Sequence, residues 1–270
     1  MDRRAFLLRG AGAAVCGGVA GCADLAGSGG TEGVAERDPP ERPDELESEA
    51  VAAYVAAYEE VYAHNHHAAA GAVEVTVDAA ATVDHVSGDD HYATAQHAGS
   101  VYYEDDGDRS VGELYADPVP YLVTPDRTLR LDVRRRTAGT DGSSDGTDGD
   151  SAPGEDRSSP PLGVRLLNVT EEARELALTV TRRSSGDDAE PGETVADLDV
   201  AVDPETAVEV RSITDLRGGY RVTARMEEDG VTGEGRINVG LPSADRGPNV
   251  DVALDGAGVS TRHLPSFEGV

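Results

Sequence analysis

Histidines are the residues of this chain best spaced to do chemistry. His64, His66 and His67 crowd one short stretch, and His85, His91 and His97 follow in the same segment. Neutral imidazole is a ligand for zinc or copper, and a site needs three or four ligands in a tetrahedral-like array. On a helix, His64 and His67 share a face at i, i+3, and His91 or an aspartate would complete the set. The candidate metal ligands are therefore His64, His66, His67 and His91, with a metal ion as the one cofactor the residues suggest. The plainer reading is that histidines near a helix C-terminus answer the helix dipole. No residue is assigned a catalytic role. The sequence has no GxSxG elbow. The acid pairs Asp89-Asp90 and Asp105-Asp106 fall in turn sequences of a chain with 52 carboxylates, where chance produces such pairs. The stretches GDDAEPGE and DGDR lack the alternating acids, glycine and terminal glutamate of a calcium loop. Asn168-Val169-Thr170 is an N-glycosylation sequon, which makes Asn168 a candidate acceptor.

Cysteine chemistry points to an address. The chain opens MDRRAFLLRGAGAAVCGGVAGC. A charged start, a short apolar run and a small-residue tail are the parts of an export signal. The apolar run is too short and too glycine-rich for a membrane span, which needs about 20 apolar residues. Arg3-Arg4-Ala5-Phe6-Leu7 resembles the twin-arginine export motif, carried by Arg3, Arg4, Phe6 and Leu7. Val19-Ala20-Gly21-Cys22 resembles a lipobox, which implies that residues 1–21 are removed and that Cys22 becomes a lipidated N-terminus. Cys16 lies in the removed part, so the mature chain would hold no disulfide. The expected location is the outer face of the cell membrane, with the membrane as partner through a lipid anchor.

The charge describes the solvent. The chain carries 23 basic residues, all arginine, against 52 acidic ones, a formal charge of −29. Such a chain repels itself until salt screens it, and at molar salt the screening length is about 3 Å. This profile resembles the proteins of salt-loving archaea. It excludes nucleic acid as a partner, because no basic stripe exists apart from Arg134-Arg135-Arg136. That triplet reads as a solvated strand end.

The elements that would position these residues follow from periodicity. Residues 22–42 and 137–161 are rich in Gly, Pro, Ser and acid, and read as a flexible tether and an interdomain linker. Between them, residues 43–136 open on Pro43 with Val51, Tyr54, Val55, Tyr58, Val61 and Tyr62 at helical steps, stopping near Gly71. Val73, Val75 and Val77 then alternate with polar residues, and a hairpin turns at Thr124-Pro125-Asp126-Arg127. One long helix followed by antiparallel strands predicts an α+β domain, in the order of cystatin-like and nuclear-transport-factor-like folds. Residues 162–255 alternate in seven short strands, which predicts an all-β sandwich; residues 256–270 remain as a C-terminal tail.

The stretch DLRGGYRVTAR resembles the late strand of disulfide-free immunoglobulin-like domains, which implies that the Tyr220 hydroxyl caps a corner. The whole layout resembles twin-arginine-exported lipoproteins of halophilic archaea that end in an immunoglobulin-like domain. That resemblance implies an address and an architecture but no activity. The function expected is a non-catalytic binding or interaction module at the cell surface, with a surface protein or small solute as partner. A solute- or metal-binding lipoprotein using the histidine cluster is the first alternative, and an enzyme of unassigned class the second.

Overall fold

The computed structural model describes residues 33–138, 161–184, 192–228, 231–241 and 248–264. The apolar stripe winds into α1 (Ser48–Ala69), which buries Val51, Tyr54 and Val55. The helix starts at Ser48 rather than Pro43, with Glu47 as an extended N-cap. Prolines 39, 40 and 43 hold the preceding chain extended, and that chain is docked rather than free. Val34 N–H donates to the Ala72 carbonyl at 2.8 Å. Asn65 exchanges two 2.8 Å hydrogen bonds with the Arg37 backbone. The tether expected over 22–42 therefore does not extend through residues 33–42. Gly71, at φ +86, turns the chain out of the helix.

β1 (Glu74–Ser87), β2 (Asp90–Asp105), β3 (Asp108–Tyr115), β4 (Val119–Val123) and β5 (Thr128–Arg130) form an antiparallel sheet in the order β1-β2-β4-β5, with β3 paired to β2 beyond β4. α1 packs on one face, where Val51, Tyr54 and Val55 meet Ala93, Ala95, Val119, Tyr121 and Val123. Gly99 permits the tight coiling of β1 on β2, since a Cβ there would collide with the Thr76 carbonyl. Gly99→Ala is expected to lower stability by about 1–3 kcal/mol, visible as a lower midpoint in denaturant; an unchanged midpoint would show that the strands separate freely.

The predicted hairpin forms, closed by Thr124 N–H on the Arg127 carbonyl at 2.9 Å. Its returning strand then divides. Leu131 is fully buried, and beyond it β6 (Asp132–Thr137) leaves the first sheet to pair in parallel with β10 (Thr206–Arg211). With β7 (Val164–Asn168), β13 (Val250–Asp255) and β14 (Gly258–His263) these make a mixed sheet ordered β14-β13-β7-β10-β6. The third sheet is antiparallel: β12 (Val231–Leu241), β11 (Gly218–Glu228), β8 (Arg174–Ser184) and β9 (Thr194–Val202). Second and third sheets enclose the largest core, including Leu166, Leu176, Leu178, Val210, Val222 and Val252. Residues placed in the tail therefore supply β14. It lies against β12, where glycines replace side chains: a Cβ on Gly233 would sit 2.7 Å from a Val259 methyl.

The halves expected to be separate domains are stacked. The other face of the first sheet covers the second: Tyr92 and Leu122 pack with Leu131, Leu167, Val169, Ala207 and Ala253. β7 is buried along its whole length, Leu166 facing the sandwich core and Leu167 the first sheet. Strands buried on both faces read as continuous apolar runs, which is why LeuLeu in GVRLLNVT breaks the alternation. Arg134-Arg135-Arg136 does lie on an edge strand, with the Arg134 side chain 57% exposed, but its guanidiniums are engaged rather than free. Arg134 and Arg136 donate to the Ala201 and Asp199 carbonyls of β9, closing that side of the sandwich, while Arg135 donates to the Pro118 carbonyl and pairs with buried Glu209 at 3.2 Å. The planar five-donor fork of arginine lets three guanidiniums on one short strand each reach a different neighbour.

Tyr220 is fully buried and its hydroxyl donates to the Leu216 carbonyl at 2.7 Å, four residues upstream. Tyr220→Phe leaves the ring in place but orphans that carbonyl. It is expected to cost about 1 kcal/mol, measured as a shift in denaturant midpoint at constant slope.

Candidate functional site

Two buried polar clusters flank the first sheet. On its helix side, Glu59 of α1 is completely buried. His97 Nδ1 of β2 donates to its Oε1 at 2.8 Å. Arg130 of β5 spans the carboxylate, Nε to Oε2 at 2.8 Å and the second amine to Oε1 at 3.1 Å. The Tyr121 hydroxyl of β4 donates to Oε2. Each oxygen thus accepts two hydrogen bonds, its full capacity. Burial alone would raise the Glu59 carboxyl. The His97 and Arg130 hydrogen bonds, the Arg130 charge and the Tyr121 hydroxyl outweigh it and hold the group at about 2. Burial and the facing carboxylate push the Tyr121 hydroxyl well above its ordinary value. Arg130 also stacks over Tyr62 at 3.8 Å and reaches Asp132 at 3.0 Å. A carboxylate so saturated holds no proton and has no lone pair to take one, so its chemistry is to lock helix to sheet.

On the opposite face, Arg165 of β7 is clamped by Asp251 of β13 in a bidentate pair at 2.8 and 2.9 Å. It also donates to Thr94 at 3.0 Å and to Asp84 at 3.3 Å, and Thr94 in turn donates to Asp84 at 2.6 Å. Asp84 and Thr94 belong to the first sheet, Arg165 and Asp251 to the second, so the cluster bridges the two layers. Two carboxylates share one guanidinium. Burial first, with the Asp251 charge adding, outweighs Arg165 and Thr94 and raises the Asp84 carboxyl to about 6. Beside it Arg262 stacks on Tyr92 at 3.9 Å, and burial with the Arg262 charge lowers the nearby His85.

The histidines do not converge. His64 is buried and its Nε2 donates to the Ala35 carbonyl at 3.0 Å, pinning the segment before α1. His67 turns the other way and shares a 2.9 Å hydrogen bond with the Tyr103 hydroxyl. Burial, with the charges of His66 and His97, lowers it. His66 stands edge-on to His67, ring centres 5.2 Å apart. His91 lies at the opposite end of the helix, which at about 1.5 Å per residue is some 30 Å long. There it donates from Nδ1 to the Asp89 carbonyl at 3.3 Å. It lines an open groove of about 840 Å³ with Glu41, Asp44, Leu46, Asp89 and Pro125. Among the described residues no three His, Cys, Asp or Glu side chains are placed to hold a metal ion. The proposed set fails because i, i+3 neighbours are recruited by different elements. Spacing of histidines alone carries no signal of this; Glu59 inside an apolar helical stripe and Arg130 between Leu129 and Leu131 were the detectable marks of the real cluster.

Asn168 is also corrected. It is fully buried. Its Nδ2 donates to the Glu172, Val202 and Asp203 carbonyls, and its Oδ1 accepts from the Thr170 N–H and hydroxyl. The sequon encodes a side-chain-closed turn whose amide nitrogen has no room for a glycan. Arg3, Arg4, Phe6, Leu7 and Cys22 lie outside the described residues. Among the described residues no helix is long and apolar enough to cross a membrane.

One surface stands apart from these internal clusters. In the β2–β3 hairpin, β3 is exposed along nearly its whole length. Leu114 turns inward to the small core of Ala72, Val75 and Val101. Val111 and Tyr115 are 62% and 72% exposed, on the face that carries Tyr102 with Arg109 at 4.3 Å over its ring. No protein-family model, curated protein or solved structure matches the chain.

Proposed function

We propose that this chain is an exported, lipid-anchored cell-surface protein of a salt-loving archaeon, and that its folded part is a non-catalytic interaction module presenting the β2–β3 hairpin. The exposed face and edge of β3 are the observation that carries the reading. Arg109, Val111, Glu113 and Tyr115 share one face of a strand whose outer edge is unpaired among the described residues, and an open strand edge is a template for another chain. Arg3, Arg4, Phe6 and Leu7 as export signal and Cys22 as lipid site support the address. The Tyr220 corner favours an immunoglobulin-like reading of the sandwich. The helix laid on a sheet has the element order of cystatin-like and nuclear-transport-factor-like folds. The stacked layers and internal ion clusters make a stiff support for the hairpin.

The test is a photo-crosslinking residue at Tyr115 in intact cells, against a control at exposed Glu175 on β8. Adducts are expected at 115 and not at 175. Equal or absent labelling at 115 would remove the reading.

A further inference from the structure

The outer edge of β3 is self-complementary, and we infer that the partner it fits is a second copy of this chain, joined by antiparallel β3–β3 pairing about Val111. The inference rests on the interaction reading above and adds the occupant. Among the described residues β3 pairs with β2 alone. Tyr115 opposes Ala98, and the Ala116 N–H donates inward to the His97 carbonyl at 3.0 Å. In an antiparallel ladder the direction of backbone groups alternates. The even-numbered residues of β3 therefore bond β2, and Arg109, Val111, Glu113 and Tyr115 aim their N–H and C=O groups outward.

That alternation restricts the register. Outward-facing residues must oppose outward-facing residues, so an odd position meets an odd position. Centring the two-fold axis on Val111 sets Val111 against Val111 of the second copy and sets Arg109 against Glu113 twice, by symmetry. The side chains of these three lie on one face, so each register position is an apolar or opposite-charge pair, the kind that stabilises strand pairing. A shift of the axis to Gly112 would set Val111 against Glu113 and lose both ion pairs. Arg109 pairs with Glu74, both about 53% exposed, and a guanidinium has donors left for a second carboxylate. The charge of −29 on each chain opposes association until salt shortens the repulsion to a few ångströms, so pairing belongs to the molar-salt regime.

Sedimentation of the full chain in detergent at molar salt, up to about 1 mM, the range of a weak strand-mediated pair, is expected to show concentration-dependent dimer. Val111→Pro should abolish it with little change in melting temperature, because proline removes an N–H that points away from β2. Arg109→Glu and Glu113→Arg should each be monomeric, setting like charges opposite one another, and an equimolar mixture of the two should pair again. A wild-type monomer at the highest concentration, a dimer indifferent to Val111→Pro, or a mixture that stays monomeric would each overturn the inference. Adducts at Tyr115 in cells that contain a different protein and never a second copy would overturn it too, while leaving the interaction reading intact.

Discussion

Glu59→Ala is expected to be the most damaging single substitution in the helix–sheet layer, lowering stability by about 3–5 kcal/mol. The loss comes less from the missing contacts than from what stays behind. Arg130 would remain in a largely buried position with its charge unanswered, and the Tyr121 hydroxyl and His97 Nδ1 would lose their acceptor. Glu59→Gln, which keeps shape but not charge, should recover only part of this. Glu59→Leu combined with Arg130→Met should lose less than the sum of the two single changes, since removing both charges leaves neither stranded. Strict additivity in denaturant midpoints would mean the two groups do not interact. The pH dependence has a definite sign. Glu59 is held at about 2, below its unfolded value of 4.5. Its contribution is therefore complete above pH 4.5 and is lost as pH falls through 2.

Arg165→Met should cost a comparable about 3–5 kcal/mol near neutral pH, because Asp251 and Asp84 would then face each other in the interior without a counter-charge. Asp84 runs opposite to Glu59. Its value of about 6 lies above the ordinary 3.8, so the folded state binds this proton more tightly than the unfolded one. The associated stability is complete below pH 3.8 and is lost as pH rises through 6, about 3 kcal/mol in all at about 1.4 kcal/mol per unit. Asp84→Asn, a neutral mimic that still accepts from Thr94 and Arg165, should raise stability at pH 7 and remove this part of the slope between pH 4 and 6. The measurement is the difference in unfolding free energy between wild type and Asp84→Asn across that window at fixed molar salt. A constant difference would show that Asp84 is ionised at no cost, and a less stable variant at pH 7 would show that its charge is needed.

These clusters also mark how far the amino-acid pattern reaches. Periods of 3.6 and 2 are local, and they located α1 through Val51, Tyr54 and Val55 and the alternation opening β1; turn residues marked Thr124–Arg127, and the resemblance of DLRGGYRVTAR to immunoglobulin-like strands pointed to Tyr220. Composition set the surface: 52 acids against 23 arginines determine a chain whose exterior repels until screened, wherever its strands go. Which strand pairs with which is not local. Asp132-Val-Arg-Arg-Arg-Thr137 has the same alternation whether it continues the hairpin or crosses to β10. The choice was made by Glu209, Pro118 and the β9 carbonyls that receive its arginines, groups distant in the chain. The same holds for His64 and His67, which spacing places together and packing sends to Ala35 and to Tyr103, and for Asn168, whose motif is indifferent to burial. Position along the chain determined the elements; the second face of β7, seen only once the layers stack, decided that two expected domains share one interior, because a strand apolar on both sides stays out of water only when covered twice.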